Sequence, residues 1–190
     1  MARLSMIPEA DLTPLQAEVH VEALRGPRGK IPGPMIAWLR SPEIARHAQK
    51  LGAQLRFGSG LDPRLRELAI LVCARHWTSH YEWTSHKRIA LAEGLDPAVI
   101  LAVARDDTPP EDGSELALVW RLSRAILRSG RLDEASYAEG RAVLGEEGMV
   151  ELVATIGYYC LVALTLNVFE LGLPEAFAAE LVEARQNPVS

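Results

Sequence analysis

The sequence has few of the groups from which disulfide frameworks and redox motifs are built. Its 190 residues contain two cysteines, and Cys73 and Cys160 stand far apart with no Cys-x-x-Cys spacing. Neither a disulfide framework nor a dithiol motif is therefore predicted. Cys73 falls in an apolar segment, where a thiol is normally a small inert hydrophobe. A thiol peroxidase that works through Cys73 alone is for this reason not favoured.

Basic runs and glycine-rich phosphate loops are also missing. The net charge is −5 and the isoelectric point about 5.6, so we expect no nucleic-acid partner. The first residues lack a cationic start followed by an apolar run, so no secretory signal is expected. Residues 152–169 are apolar but carry Asn167 and lie between Glu151 and Glu170, which indicates a buried helix rather than a membrane span. We expect a cytoplasmic protein without a membrane partner.

Helix signals dominate what is present, and alternating strand patterns are confined to short stretches. The pairs at residues 41–42, 62–63 and 96–97 each place serine or aspartate before a proline, which is typical of a helix start. Gly94 is expected to end one helix in the left-handed conformation. The predicted helices lie at residues 15–24, 41–56, 62 to about 77, 80–93, 96–104, 114–128, 133–144, 147–171 and 174–185.

This pattern predicts an all-α bundle of about seven to nine helices. The length suits one domain over residues 1–190, with an N-terminal extension at residues 1–30. Proline and glycine cluster at residues 26–34, which cannot form regular helix or central strand. A weak echo between residues 66–98 and 150–176 leaves two similar halves open as an alternative.

Two residues on neighbouring predicted helices are candidates for acid–base chemistry. Glu67 stands just before the apolar residues 68–74, where partial desolvation would raise the pKa of its carboxyl group toward a useful range. The alternative is a first-turn acid that is favoured by the helix dipole or paired with Arg64. His86 continues an apolar face and should point inward. In one straight helix Glu67 and His86 would stand about 28 Å apart, so they can meet only if the chain turns back.

Glu82 lies four residues before His86 and has two alternative roles. Ser79 and Glu82 fit the S-x-x-E capping box, which supports a helix start and gives Glu82 a structural task. Its position on the face of His86 equally allows a role as a second acid. His76 and His80 are also four residues apart, but no cluster completes a ligand set, so we expect no metal and no other cofactor.

A set of short motifs in this segment resembles a known family. Residues 66–71 read R-E-L-A-I-L, residues 74–75 read A-R, residues 81–83 read Y-E-W, and His86 follows. As a set, and with flanking agreement over roughly residues 30–175, they resemble the carboxymuconolactone decarboxylase family. The superfamily also contains the alkyl hydroperoxidase D proteins.

The resemblance implies a fold, an assembly and a reactive pair. It implies an alkyl hydroperoxidase D-like all-α bundle, a homo-oligomer that is often a trimer or hexamer, and a proton relay at Glu67 and His86. Redox members place a Cys-x-x-Cys where this chain has Ser79 and Glu82. Because a hydroxyl and a carboxylate cannot form a disulfide, lyase chemistry is favoured, and peroxiredoxin activity would rest on homology only.

Two functions from different classes follow. The first is proton transfer or decarboxylation on a small carboxylated lactone or keto acid, with catalysis by Glu67, His86 and Glu82. The predicted substrate-binding residues of this enzyme are Tyr81, Trp83, Arg75 and Tyr158, where Arg75 would anchor a carboxylate. The second is a non-enzymatic, oligomeric binder of small molecules on the same scaffold. Hydroperoxide reduction as in the superfamily relatives is a further alternative.

Overall fold

The computed structural model describes residues 2–110, 114–173 and 177–181, and the regular secondary structure of these residues is helical. A 3-10 turn at Glu9–Asp11 precedes the first helix. The helices are α1 (Pro14–Arg25), α2 (Met35–Trp38), α3 (Pro42–Phe57), α4 (Pro63–His76), α5 (His80–Ala92), α6 (Pro97–Arg105), α7 (Glu115–Ser129) and α8 (Glu134–Val168). The predicted all-α bundle is confirmed.

Two of the three predicted serine or aspartate caps close their helices as expected. The Asp62 and Asp96 side chains accept hydrogen bonds from backbone N–H groups in the first turns of α4 and α6. Ser41 precedes α3, but its side chain makes no capping hydrogen bond. Gly94 has φ +85° and ends α5 in the predicted left-handed conformation. The short α2 was not predicted, because it directly follows the proline- and glycine-rich residues 26–34.

Helix α4 is the centre of the bundle. All residues from 65 to 74 are buried, and α4 packs against α5, α6, α7 and α8. One side of α4, with Leu68 and Leu71, faces the cluster formed with α5, α6 and α7. The other side, with Ile70 and Cys73, faces α3 and the aromatic residues of α8. A helix that is apolar on all sides is buried on all sides, as the sequence indicates.

The long α8 contains the break that the sequence predicts between residues 144 and 147. Gly145 has φ 71° and ψ 175°, which lies outside the helical region and kinks α8. By length and composition α8 is apolar enough to cross a membrane, with a mean hydropathy of 1.8 in its most apolar window. The fold buries 56% of that window, as it does in the core helix of a globular protein.

Two expectations for the C-terminal half are corrected. Residues 177–181 are not helical, whereas a helix was predicted at 174–185; its other residues lie outside the described part of the chain. The two segments of the weak echo also differ. Residues 66–94 form a helix, a turn and a second helix, whereas residues 150–168 form one helix, so a duplicated two-helix unit is not found.

The chain reverses between α4 and α5, as the Glu67–His86 hypothesis requires. Thr78 has φ +48°, and the N–H of Ser79 donates to the carbonyl of Ala74. These contacts end α4 and start α5 within three residues. The turn therefore lays α5 back along α4, and side chains that are 19 positions apart can face each other.

Candidate functional site

The two acid–base candidates meet in the interior. Nδ1 of His86 lies 2.7 Å from Oε2 of Glu67, a hydrogen-bond distance that joins α5 to α4. Glu67 is fully buried, and the His86 side chain keeps 10% of its exposure. Because the carboxylate accepts the bond from Nδ1–H, Nε2 is the ring nitrogen left for a ligand.

The surroundings of this pair combine one cation with aromatic rings. Nε of Arg66 lies 3.7 Å from Oε1 of Glu67, so the buried carboxylate has a cationic neighbour. The Tyr159 ring packs edge-on against the His86 imidazole with centroids 4.8 Å apart, and Tyr158 packs against Tyr159 in the same manner. A carboxylate and an aromatic ring therefore fix the orientation of the imidazole.

His86 forms part of the wall of a large open cavity. The volume of this cavity is about 540 Å³, which lies within the range of small-molecule sites, roughly 300–1,000 Å³. Its walls come from residues 27–34, the end of α3, one face of α5 and the last third of α8. Tyr81, Glu82 and Tyr158, all predicted site residues, line it together with His86. We call it the histidine cavity.

Positive charge surrounds the histidine cavity. Arg28 and Lys30 line it from the segment before α2, Arg56 from the end of α3, and Arg88 from α5. Against these four cations, Glu82 is the one carboxyl group among the described residues of the wall. The arrangement suits a small anion, and a carboxylate above all, because the planar guanidinium group can bind both carboxylate oxygens.

Glu82 is buried without a hydrogen-bond partner for either carboxyl oxygen among the described residues. The predicted capping box is therefore wrong, since Ser79 also makes no side-chain capping bond. Glu82 instead turns away from the helix start and into the interior beside the cavity. Burial first, and then the charge of Cys160, raise the pKa of Glu82 well above the usual 4.5. A carboxyl group in this state keeps a proton that it can donate.

Glycine makes room for two tyrosines of the wall. A β-carbon at Gly33 would lie 2.7 Å from the Tyr81 hydroxyl oxygen, and one at Gly52 would lie 2.1 Å from that of Tyr158. Burial raises the pKa of both phenols, although Arg28 opposes this shift at Tyr158. Both hydroxyl groups therefore stay protonated near neutral pH and can donate hydrogen bonds to a bound oxygen.

Two predicted site residues lie elsewhere. Trp83 is 1% exposed and belongs to the core cluster between α4 and α7, where its indole fills space. Arg75 lines a second, smaller cavity of about 180 Å³, next to His76, and Nη1 of Arg75 lies 3.3 Å from the Thr78 hydroxyl. Arg75 follows Glu67 by eight residues on α4, which places it near the far end of that helix. Arg75 is therefore not among the cations that line the histidine cavity with His86.

The two cysteines, which the sequence separates by 87 positions, are neighbours in the fold. Sγ of Cys73 lies 3.6 Å from Sγ of Cys160, across the contact between α4 and α8. This thiol pair was not predicted, because no local sequence motif joins the two positions. Cys73 is fully buried, and its contact with Cys160, followed by burial, raises the pKa of its thiol. The thiol peroxidase through Cys73 alone is therefore not supported.

Sequence reasoning missed the four cations of the histidine cavity. Arg28 and Lys30 lie in the segment of proline and glycine, where an irregular backbone and exposed charge are a recognised sign of a binding loop. Arg88 follows His86 by two residues on the same helix. Arg56 has no local signal, since a basic residue in the last turn of a helix is ordinarily explained by the dipole.

No group of three or more histidine, cysteine, aspartate or glutamate side chains arranged for a metal ion occurs among the described residues. His76 and His80, which the sequence places four residues apart, lie on different helices, α4 and α5. In the described part of the chain, the functional groups at the histidine cavity are therefore acid–base groups and cations.

Comparison with known proteins gives a family for the central part of the chain. Residues 42–125 match the carboxymuconolactone decarboxylase family, which confirms the resemblance over that range. The match covers α3 to α6 and most of α7, and it includes Glu67, Glu82 and His86. Arg28, Tyr158 and the other wall residues from outside that range complete the cavity. No curated protein matches the chain in the sequence comparison.

Proposed function

We propose, from the premise that residues 42–125 are a carboxymuconolactone decarboxylase family region, that the protein transfers a proton or removes CO₂ from a small carboxylated lactone or keto acid. The observation that carries the proposal is the 2.7 Å contact between His86 and the buried Glu67 at the wall of a cationic cavity. Buried acid–base pairs at a cavity are typical of catalytic sites.

The cavity walls favour a carboxylated substrate. Arg28 and Arg56 lie on the side of α3, and Lys30 and Arg88 lie near the opening, where both are exposed. Nη1 of Arg28 donates to the carbonyl of Gln49 at 3.2 Å, which orients its guanidinium group. An arginine fixed in this way binds a carboxylate at a lower entropic cost than a freely rotating side chain. We assign the main anchoring role to Arg28.

The acid–base residues divide the chemistry between them. In decarboxylation the bond to the carboxylate carbon breaks, its electron pair moves into the neighbouring carbonyl group, CO₂ leaves, and a proton is added to the remaining carbon. His86 is the general acid or base, and Glu67 fixes its tautomer. Glu82, which keeps its proton, is the second donor. The Tyr81 and Tyr158 hydroxyl groups stabilise the oxygen on which negative charge develops.

Binding without turnover is the second candidate function. The four cations and the volume of the cavity would by themselves hold a small anion. A binder needs shape and charge, but it does not need the buried pair. If the protein is a binder, His86→Gln should keep the ligand affinity of the wild type. If it is an enzyme, the same variant should lose its catalytic rate.

An activity panel tests the proposal. Small lactones and keto acids that carry a carboxylate are offered to the wild type and to His86→Ala, and CO₂ release is followed. The proposal predicts release that depends on His86. If the wild type binds members of the panel but neither transfers a proton nor releases CO₂ with any of them, the binder is the better account.

A further inference from the structure

The thiols of Cys73 and Cys160 form a second cluster of reactive groups, separate from the acid–base pair. The sulfur atoms are 3.6 Å apart, and neither is in a disulfide. Closure of a disulfide requires a sulfur–sulfur distance of about 2.0 Å, so the two sulfur atoms must approach each other by roughly 1.5 Å. This closure would require rotation of the two side chains and small movements of α4 and α8.

The two thiols differ in access and in acidity. Cys160 is half-buried, whereas Cys73 is completely enclosed. The Nε1–H of Trp77 donates to Sγ of Cys160 at 3.2 Å, and Sγ of Cys73 lies within hydrogen-bond distance of the same sulfur at 3.6 Å. These contacts lower the pKa of Cys160 to about 6, with the contact to Cys73 as the larger cause. Cys160 is thus the accessible nucleophile, and Cys73 the protected partner.

We propose that Cys160 and Cys73 are an oxidation site, at which hydrogen peroxide converts the two thiols into a disulfide between α8 and α4. The Cys160 thiolate attacks one peroxide oxygen, the O–O bond breaks, and the hydroxide that leaves takes a proton to form water. The product is a sulfenic acid at Cys160. Cys73 then attacks the sulfenic sulfur, the S–O bond breaks, and the hydroxide leaves as water with the proton of the Cys73 thiol. The peroxide gains two electrons, and the thiols lose them.

The position of the pair explains why a small oxidant is required. Trp77 covers Cys160 through its hydrogen bond and is itself 36% exposed at the surface. Hydrogen peroxide is small enough to reach a half-buried sulfur beside that ring. Cys73 is already in contact with Cys160, so the disulfide forms before a second peroxide can oxidise the sulfenic acid further.

The disulfide would join the helix that carries Glu67 to the helix whose tyrosines pack beside His86. Cys73 lies on α4, which holds Glu67, and Cys160 directly follows Tyr158 and Tyr159 on α8. The bond would close a loop over 87 positions, and a loop of this length gives a large stabilising effect in the chain-entropy description. The proposal does not depend on the function of the histidine cavity, because its readouts are the state of the thiols and the melting temperature.

The test uses the full-length protein, fully reduced, with hydrogen peroxide in small excess. Free thiols are counted by alkylation, and peptides are identified by mass. The wild type should lose both thiols, yield a cross-linked peptide pair that contains Cys73 and Cys160, and melt at least about 5 °C higher after oxidation. A thiol reductant should reverse these changes.

Three variants distinguish the roles of the residues. Cys73→Ser should stop at the sulfenic acid of Cys160, which a cyclic dione traps. Cys160→Ser should lose its remaining thiol at least about tenfold more slowly than the wild type loses either one. Trp77→Phe keeps the ring but lacks the N–H donor, and it should slow oxidation several-fold.

Two results would overturn the proposal. One is a Cys160→Ser variant that loses the Cys73 thiol as fast as the wild type. The other is a wild type in which peroxide leaves both thiols free, or links Cys160 only to Cys160 of another chain. Cys73→Ser and Cys160→Ser each replace a thiol with a hydroxyl group of similar size, so both variants should fold. Circular dichroism before oxidation checks this.

Discussion

The two cavities of this bundle contain the same kinds of side chain in different physical settings. In the histidine cavity, His86 contacts a fully buried carboxylate, and a second carboxyl group lacks a partner. In the smaller cavity, His76 is exposed, and Asp106 pairs with Arg124 at its edge. Solvent and paired charges surround the titratable groups of the second cavity, whereas those of the first are desolvated, which is the setting that the proposed proton transfer requires.

The comparison shows that residue type alone does not define a site. Both cavities have a histidine, an acid and arginines. Although His76 is exposed, partial desolvation of its ring lowers its pKa, an effect that Asp106 opposes and that Arg128 and Arg124 reinforce. His86 has one short contact to one buried partner. His76 and Arg128 of the smaller cavity are therefore matched controls for His86 and Arg28 of the histidine cavity.

The largest effect is expected from the acid–base pair. His86→Ala and Glu67→Gln should each lower kcat by about 10²–10⁴, because the first removes the proton carrier and the second removes the charge that fixes its tautomer. His76→Ala in the smaller cavity should keep kcat within about twofold. These kcat values are measured by steady-state kinetics on a substrate identified with the panel of lactones and keto acids. Equal losses in the His76 and His86 variants would contradict the distinction between the cavities.

The anchoring residue should act on binding rather than on chemistry. Arg28→Ala should raise KM about 10- to 100-fold with a smaller change in kcat, because a charged hydrogen bond to the substrate is worth about 1.5–3 kcal/mol. Arg128→Ala, from the smaller cavity, is the control and should leave KM unchanged. A wild-type KM in Arg28→Ala would move the anchor to Arg56, Lys30 or Arg88.

The close approach of Tyr158 to α3 can be tested through its glycine. Gly52→Ala places a methyl group where the Tyr158 hydroxyl lies, and it should lower the free energy of unfolding by about 1–3 kcal/mol. Gly157→Ala on α8 meets no atom within 4 Å. It should instead stabilise the helix by about 0.5–1 kcal/mol. Urea denaturation measures the free energy of unfolding of both variants. Equal changes in Gly52→Ala and Gly157→Ala would disprove the close packing at Gly52.

The smallest effect concerns the buried proton of Glu82. Burial raises the pKa of this carboxyl group, so the folded protein keeps a proton that the unfolded chain releases as the pH rises above about 4.5. The free energy of unfolding therefore declines with rising pH until the folded carboxyl group itself ionises. Glu82→Gln should remove this part of the decline in melting temperature. Glu147→Gln, at an exposed acid, is the control and should melt in parallel with the wild type.

The sequence predicted the elements of the fold better than their continuation at the C-terminus. Proline at the first helical position, aspartate caps and Gly94 are local signals, and they predict the starts of α4 and α6 and the end of α5. Residues 177–181 contain apolar residues at helical spacing but are not helical. Leu181 is nevertheless buried in the same core cluster as Leu68, so the spacing here predicts a buried side chain but not the backbone conformation.

The candidate site was predictable where its signal was local. Glu67 and His86 were identified from an apolar helix and from an inward-facing histidine, and the turn at Thr78 brings them together. Arg28 and Cys160 lie far along the chain from the partners they meet, so only the packing of α3 and α8 reveals them. Arg75 was chosen for its side chain, and its place at the far end of α4 could not be read without the fold.

The most direct test of the central claim is proton exchange at the substrate carbon. A keto acid or lactone that carries a carboxylate is incubated with enzyme in D₂O, and deuterium on the carbon next to the carbonyl is followed by NMR. The account predicts incorporation with the wild type and with His76→Ala, and a loss of more than about 10² in His86→Ala and Glu67→Gln. Equal incorporation in all four proteins would contradict the assignment of the His86–Glu67 pair as the proton carrier.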